Sequence, residues 1–186
     1  MEGGIANHPK GRSFELANLP VVWCDADAER IGPSVFAVVH DSRETARVAI
    51  AELLKRNCAA YGYVGFDVKR DWSRVRGEVF AEEMGKAGVA ATLFDPTLGR
   101  RFRDAPEFYA ALEKWLSDLP RPCGIFAAND ETALNVHAAC LKKGLSIPQD
   151  IAIMGFSGCY HGSLLQPSLS TVDFCYMEAA SLAVDA

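Results

Sequence analysis

The sequence predicts an α/β fold in which parallel strands are flanked by helices. Short apolar runs alternate with longer amphipathic segments, and the alternation becomes regular after residue 60. The apolar runs are nearly continuous, which is typical of strands that are buried on both faces of a parallel sheet. Several runs end on polar residues, and ligands of open parallel sheets bind beyond the carboxyl ends of the strands.

Hydrophobic periodicity and punctuation residues locate the predicted elements. Strands are predicted at residues 3–7, 19–24, 35–39, 60–66, 89–94, 124–128, 151–156 and 170–174. Helices are predicted at residues 13–18, between 42 and 57, and at 72–86, 106–119, 131–143 and 177–186. Gly88 and Gly144 each follow a predicted helix and are expected to end it.

Charge and composition argue against several classes of protein. The 186 residues include 24 acidic and 19 basic side chains, for a net charge of −5, whereas binding to nucleic acid needs clustered basic side chains. No stretch approaches the roughly 18 apolar residues of a membrane-spanning helix. The first residues, Met1-Glu2-Gly3-Gly4, lack the features of a signal peptide. We therefore expect a cytoplasmic protein that contacts neither DNA nor membrane through this chain.

The cysteines and histidines show no metal-binding pattern. The chain contains no C-x-x-C pair, and its four histidines lack the spacing of metal ligands. We predict buried, reduced thiols, no metal and no cofactor. The six cysteines are Cys24, Cys58, Cys123, Cys140, Cys159 and Cys175.

Catalytic and phosphate-binding motifs are weak or missing. Neither G-x-G-x-x-G nor the P-loop pattern occurs. The stretch from Gly155 to Gly158 is similar to a nucleophile elbow, but Cys159 stands where that motif needs its second glycine. We predict that the protein is not an enzyme. An α/β hydrolase-like enzyme that uses Ser157, His161 and a carboxylate remains an alternative.

Polar side chains follow five of the predicted strands. Asp25, Asp41, Asp67, Asn129 and Ser157 all stand at or just after a strand's last apolar residue. Since the carboxyl ends of parallel strands meet at one edge of a sheet, these residues indicate a polar pocket there.

Three segments resemble the effector-binding half of LacI/GalR-type transcriptional regulators, which share the type I periplasmic-binding-protein-like fold. They are YVGF followed by DWSRVRGEVFAEEMGKAGV, then GIFAANDETALNVHAACLKKGLSIPQDIAIMGFSG, and LLQPSLSTV. The upstream stretch PVVWCDAD is similar to regulators of the xylose-operon type. The resemblance covers most of the chain.

The resemblance implies a set of ligand-binding residues. Arg76 matches the family's helix arginine, which holds ligand hydroxyls or carboxylates through its planar fork of donors. Trp72 lies one helical turn earlier, on the same face. Asn129 matches the pocket amide of the family's N-D motif. Asp25 matches a polar position of the other subdomain, and Tyr176 an aromatic wall.

Ser157 and Asp130 stand at two further positions near the expected ligand site. Ser157 occupies the position where the family usually has an aspartate that accepts hydrogen bonds from sugar hydroxyls. The serine is neutral and shorter, so the resemblance leaves the ligand open. We expect Asp130 to hold the amino end of the following helix, and Asn129 to face the ligand.

The resemblance also implies an organisation and a function. Residues 42–174 would form a nearly complete carboxyl-terminal lobe, and residues 1–41 and 175–186 a partial, truncated amino-terminal lobe. The expected function is sensing of a sugar or related small-molecule effector in an inter-lobe cleft of a bacterial transcriptional regulator. A homodimer is expected, with DNA bound only through a module absent from this chain. A solute-binding protein of a sugar transport system is the alternative of the same fold.

Overall fold

The computed structural model describes residues 4–7, 21–24, 36–67, 70–94 and 106–185. The chain divides into two units: residues 1–41 with 174–186, and residues 42–173. The predicted assignment of such units to the two lobes of a larger protein stays a prediction.

The first unit contains a parallel three-stranded sheet in the order β1-β2-β3. Its strands are β1 (Gly4–Asn7), β2 (Val21–Cys24) and β3 (Phe36–Val38). The last helix of the chain, α6 (Tyr176–Asp185), packs against β2 and β3. The helix predicted at residues 13–18 lies outside the described residues.

The second unit is a five-stranded parallel sheet covered by helices on both faces. Its strands are β4 (Ala60–Val64), β5 (Ala91–Phe94), β6 (Cys123–Ala127), β7 (Ile151–Ser157) and β8 (Ser170–Asp173). Its helices are α1 (Ser42–Leu54), α2 (Asp71–Ala87), α3 (Pro106–Asp118), α4 (Asp130–Lys142) and the short α5 (Tyr160–Ser163). The predicted α/β class with parallel sheets is confirmed.

The strand order β5-β4-β6-β7-β8 contains a reversal. The chain passes from β4 to β5 on one side, and the next strand, β6, then pairs with β4 on the other side. In open parallel sheets the ligand crevice lies at such a switch point, beyond the carboxyl ends of the strands. The fold therefore places a candidate site where β4 and β6 end.

Successive residues of β6 fill two separate cores, one on each face of the sheet. Ile125 and Ala127 belong to the core that α3 and α4 cover. Phe126, and Ala128 directly after the strand, belong to the core that α1 and α2 cover. Side chains of a strand alternate between faces, so a strand with a core on both sides must be apolar throughout. This requirement explains the continuous apolar runs in the sequence.

The predicted helix ends agree with the backbone. Gly88 follows α2 with φ of 65° and donates its N–H to the last turn. Gly144 has φ of 67°, just after α4. Both residues adopt the left-handed conformation that glycine takes without strain, which is why each ends its helix. Sequence reasoning missed α5, a single turn with no repeated apolar spacing.

Five of the described cysteines are thiols outside any disulfide, and only some of them are buried. Cys123 and Cys140 lie in the core, and burial raises the pKa of each thiol to about 12. Cys58 and Cys159 are half-buried and Cys175 is exposed, so the prediction of buried thiols is wrong for these three. They lie in connections, where neighbouring apolar residues do not imply a place in the core.

Candidate ligand-binding site

Arg76 is a buried cation beside the switch point. It lies on α2, only 1% exposed, and its Nη1 donates a hydrogen bond to the carbonyl oxygen of Ala128, directly after β6. Its guanidinium carbon lies 3.9 Å from the ring centroid of Phe156 and 4.9 Å from that of Trp72. The two aromatic faces offset part of the cost of taking a permanent charge out of water.

Trp72 begins the same face of α2, as the four-residue spacing predicts. Its ring is half-buried and packs against Phe66 with 5.2 Å between ring centroids. The indole therefore contributes to the core and also keeps an accessible part beside Arg76.

Asn129 carries two roles in one side chain. It is the N-cap of α4, and its Oδ1 accepts hydrogen bonds from the backbone N–H of Thr132 at 2.9 Å and from Thr132 Oγ1 at 2.7 Å. Among the residues that the structure describes, its Nδ2 group has no hydrogen-bond partner. The oxygen of the amide is thus used inside the fold, while its two N–H donors are not used within the described residues.

The prediction that Asp130 holds the amino end of α4 is wrong, because Asn129 does so. Asp130 is 1% exposed, and its Oδ1 accepts a hydrogen bond from Thr171 Oγ1 at 2.7 Å. Its Oδ2 accepts one from the backbone N–H of Cys159 at 2.6 Å and a longer one from Ser157 Oγ at 3.5 Å. The carboxylate therefore joins the first residue of α4 to the end of β7, to Cys159 just after it, and to β8.

Gly155 leaves the room that this carboxylate needs. A Cβ atom at position 155 would lie 2.2 Å from Asp130 Oδ1, closer than any two unbonded heavy atoms can approach. The absence of a side chain there lets the carboxylate lie against β7.

Ser157 ends β7 with an unusual backbone. Its φ of 120° is in a region that favours glycine, so the residue is strained. Its hydroxyl donates to Asp130, and no hydrogen bond joins it to the exposed His161 within the described part of the chain. A serine nucleophile needs a neighbouring base to accept its proton, so this geometry does not favour the hydrolase alternative.

The structure brings four of the predicted residues together at one sheet edge. Trp72, Arg76, Asn129 and Ser157 all belong to the second unit, at the ends of β4, β6 and β7. Tyr176 belongs to the first unit, where its 59% exposed ring stacks on Phe174 with 4.3 Å between centroids. Asp25 lies outside the described residues.

Sequence reasoning missed the structural parts of this edge. Phe156 reads as an ordinary apolar strand residue, and nothing in the sequence joins Asp130 to Thr171, 41 positions later. One local signal exists: Gly155, two residues before Ser157, interrupts the apolar run of β7 and leaves room for the Asp130 carboxylate.

Metal-binding clusters and membrane-spanning helices are both absent from the described part of the chain. No group of three or more histidine, cysteine, aspartate or glutamate side chains there is arranged to hold a metal ion. No helix there is long and apolar enough to span a membrane.

Comparison with known proteins gives consistent relatives. The chain is 28% identical over 162 residues to the ribose operon repressor of Halalkalibacterium halodurans. The aligned region covers 87% of this chain and 46% of the repressor. It is 27% identical over 175 residues to the transcriptional regulator MalR of Clostridium butyricum, which covers 91% of this chain and 51% of MalR. The chain therefore spans about half the length of the curated relatives that it matches.

Solved structures show the same fold. A LacI family transcriptional regulator from Arthrobacter, in complex with lactose, superposes with a TM-score of 0.73 at 26% identity, covering 91% of this chain and 60% of that one. A periplasmic binding protein/LacI transcriptional regulator from Alkaliphilus metalliredigens, in complex with D-xylulofuranose, has a TM-score of 0.72 at 23% identity and covers 97% and 66% of the two chains.

A family model, described as a periplasmic binding protein-like domain, matches residues 50–186. That range contains the sheet of the second unit and all four residues gathered at its carboxyl edge. The protein belongs to this periplasmic binding protein-like family.

Proposed function

We propose that this chain is the ligand-sensing domain of a bacterial transcriptional regulator, and that it binds a sugar or related small molecule. The curated relatives are named as operon repressors and transcriptional regulators, and two solved structures of the same fold hold lactose and D-xylulofuranose. The chain's own residues supply the argument for where such a ligand would bind.

One observation carries this proposal: Arg76 and Asn129 are both held at the switch point, where Arg76 is bonded to Ala128 and Asn129 is the next residue. The Ala128 carbonyl fixes the arginine, and the helix cap fixes the amide, so both donors are pre-oriented. Trp72 adds an aromatic face beside them. Fixed donors next to an aromatic surface suit a polyhydroxylated ring, whose oxygens accept hydrogen bonds and whose C–H face is apolar.

Ser157 would tune the choice of ligand. Its hydroxyl points to Asp130, so the end of β7 offers a ligand no charged acceptor from this position. A charge-assisted hydrogen bond contributes roughly 1.5–3 kcal/mol. We expect ligands with fewer donating hydroxyls, or with donors placed elsewhere, to bind best.

The transport alternative has less support than the regulator. The relatives reported above are named as repressors and regulators, and none of these names describes a transport protein. We further propose that the protein is cytoplasmic, that it acts as a homodimer, and that DNA is bound by another part of a longer protein. The similarity to regulators of the xylose-operon type also stays a prediction.

A thermal-shift experiment tests the site. The protein would be mixed in turn with ribose, xylulose, lactose and a panel of further monosaccharides. A ligand that binds should raise Tm by mass action. Asn129→Ser keeps an oxygen at the N-cap and removes the Nδ2 donors. The variant should therefore retain the stability of the unliganded protein and lose most of the ligand-induced shift.

Glu107→Gln supplies the control, because this exposed side chain lies on α3. It should respond to each sugar as the wild type does. A ligand that stabilises Asn129→Ser and wild type equally would show that the amide is not part of the site.

A further inference from the structure

A second concave surface lies at the opposite edge of the same sheet. A groove of about 380 Å³ is bounded by the last turn of α1, the amino-terminal halves of β7 and β8, and the connections that precede those strands. It contains none of the residues gathered at the carboxyl edge. Its volume falls within the range of small-molecule sites.

Small side chains account for the groove. Ala152, Ser168 and Ser170 line it beneath the carboxyl end of α1, where larger residues would fill the space between helix and sheet. Leu53 and Met154 supply apolar walls that continue into the core under α1. The groove thus has an apolar floor that is connected to a packed and rigid part of the unit.

Three hydrogen-bonding side chains of the groove are unused. Within the described residues, the guanidinium of Arg56 has no hydrogen-bond or ion-pair partner, and neither do the hydroxyls of Ser168 and Ser170. The remaining charges of the lining, Lys55 and Glu52, form an ion pair with each other. The lining therefore carries one net positive charge, on Arg56.

The carboxyl end of a helix normally repels anions, because its last carbonyl groups carry partial negative charge. In α1 two of these carbonyls are already satisfied. The oxygen of Leu53 accepts a hydrogen bond from the backbone N–H of Arg56 at 3.0 Å, and that of Leu54 accepts one from Asn57 at 3.1 Å. The charge of Arg56 then dominates the rim.

We propose that this groove is a second ligand site, which binds a small organic anion with a carboxylate or phosphate group and an apolar body. The arginine fork binds the anionic group, since its planar donors match both chemistries. The two serine hydroxyls donate to the remaining oxygens, and the apolar body lies on Leu53 and Met154.

The position of the groove gives an occupant a structural consequence. Helix α1 is the first element of the second unit and β8 is the last, so the chain enters and leaves this unit through the two elements that the groove joins. A ligand bound to both would fix the last turn of α1 relative to the first residue of β8.

The test uses the ¹⁵N-labelled chain and three matched probes: phenyl phosphate, phenylacetate and the neutral benzyl alcohol. Both anions should shift the backbone amide resonances of Arg56, Ser168 and Ser170, and should leave those of Asn129 and Gly158 unchanged. Comparison of the two anions identifies whether phosphate or carboxylate is preferred. Benzyl alcohol should bind at least about tenfold more weakly, because it lacks the charge-assisted bond.

Arg56→Gln should weaken binding of both anions by about tenfold or more. Arg47→Gln is the matched control, since it removes the same charge from an exposed position on α1, just before Arg56 in the chain and outside the groove; it should bind like the wild type. Ser168→Ala with Ser170→Ala should weaken binding without closing the groove.

Several results would overturn the proposal. The proposal fails if Arg56→Gln binds the anions as tightly as the wild type does, or if benzyl alcohol binds as tightly as the anions. It also fails if the resonance shifts occur at Asn129 and Gly158 and not at the groove amides, or if no probe binds at millimolar concentration.

Discussion

Two charges are buried at the carboxyl edge of the five-stranded sheet, and the fold accommodates them in opposite ways. Arg76 lies over the rings of Phe156 and Trp72 and donates a hydrogen bond to the carbonyl oxygen of Ala128. Asp130 instead accepts hydrogen bonds from Thr171, Cys159 and Ser157. An aromatic face attracts a cation and repels an anion, so a buried carboxylate must be satisfied by donors.

The comparison separates two kinds of contribution to the site. Asp130 joins the start of α4 to the end of β7 and to β8, and so holds the shape of the edge. Arg76 lies beside the proposed ligand site, with its donor fork fixed by the Ala128 carbonyl. We therefore expect the stability of the unit to depend more on Asp130, and ligand affinity to depend more on Arg76.

The largest expected effect comes from Asp130→Ala. The change removes the carboxylate that accepts hydrogen bonds from the part-buried Thr171 hydroxyl and Cys159 N–H, and each hydrogen bond lost to a charged acceptor costs about 1–3 kcal/mol. The free energy of unfolding, measured by urea denaturation, should fall by roughly 2–6 kcal/mol.

Thr171 provides a graded control for that result. Thr171→Ser keeps the hydroxyl donor and should be close to wild type, whereas Thr171→Val removes it and should lower the free energy of unfolding by about 1–3 kcal/mol. If Thr171→Val and Thr171→Ser were equally stable, the bond to Asp130 Oδ1 would contribute nothing.

Arg76→Met should have a smaller effect on stability. Methionine keeps the length and apolar character of the stem, so the aromatic packing survives, while the cation–π contacts and the bond to Ala128 are lost. We expect a fall of about 1–3 kcal/mol in the free energy of unfolding, with loss of ligand-induced stabilisation. A loss of stability larger than that of Asp130→Ala would reverse the comparison.

The smallest effect concerns His137, another buried polar residue of the second unit. It is 6% exposed, and within the described residues its Nε2 has no hydrogen-bond partner. Burial lowers its pKa from the ordinary value of 6.5. The folded state therefore binds the proton more weakly than the unfolded state does.

The stability that follows from this shift is complete above pH 6.5 and is lost as the pH falls through that value toward the lower pKa of the folded protein. Urea denaturation between about pH 7.5 and 5.5 should show a decrease that His137→Gln removes. The decrease would persist in that variant if another group were responsible.

Much of the fold could be predicted because its signals are local. Continuous apolar runs gave the parallel strands, Gly88 and Gly144 gave the helix ends, and the spacing of Trp72 and Arg76 gave their shared face. The roles of Asn129 and Asp130 could not be separated in this way. Both residues cap helices well and stand side by side, and which of them does so depends on donors at positions 157, 159 and 171.

The sequence by itself determined that this is a parallel α/β protein and which residues stand at the strand ends, because hydrophobic period and helix punctuation act over a few residues. Tertiary structure decided what those residues touch. The strand order placed Ala128 against Arg76 and brought Thr171 to Asp130, since pairing between distant strands sets which polar groups share one buried edge. The strand order also placed small residues beneath the end of α1, which formed a groove that no local sequence pattern predicts.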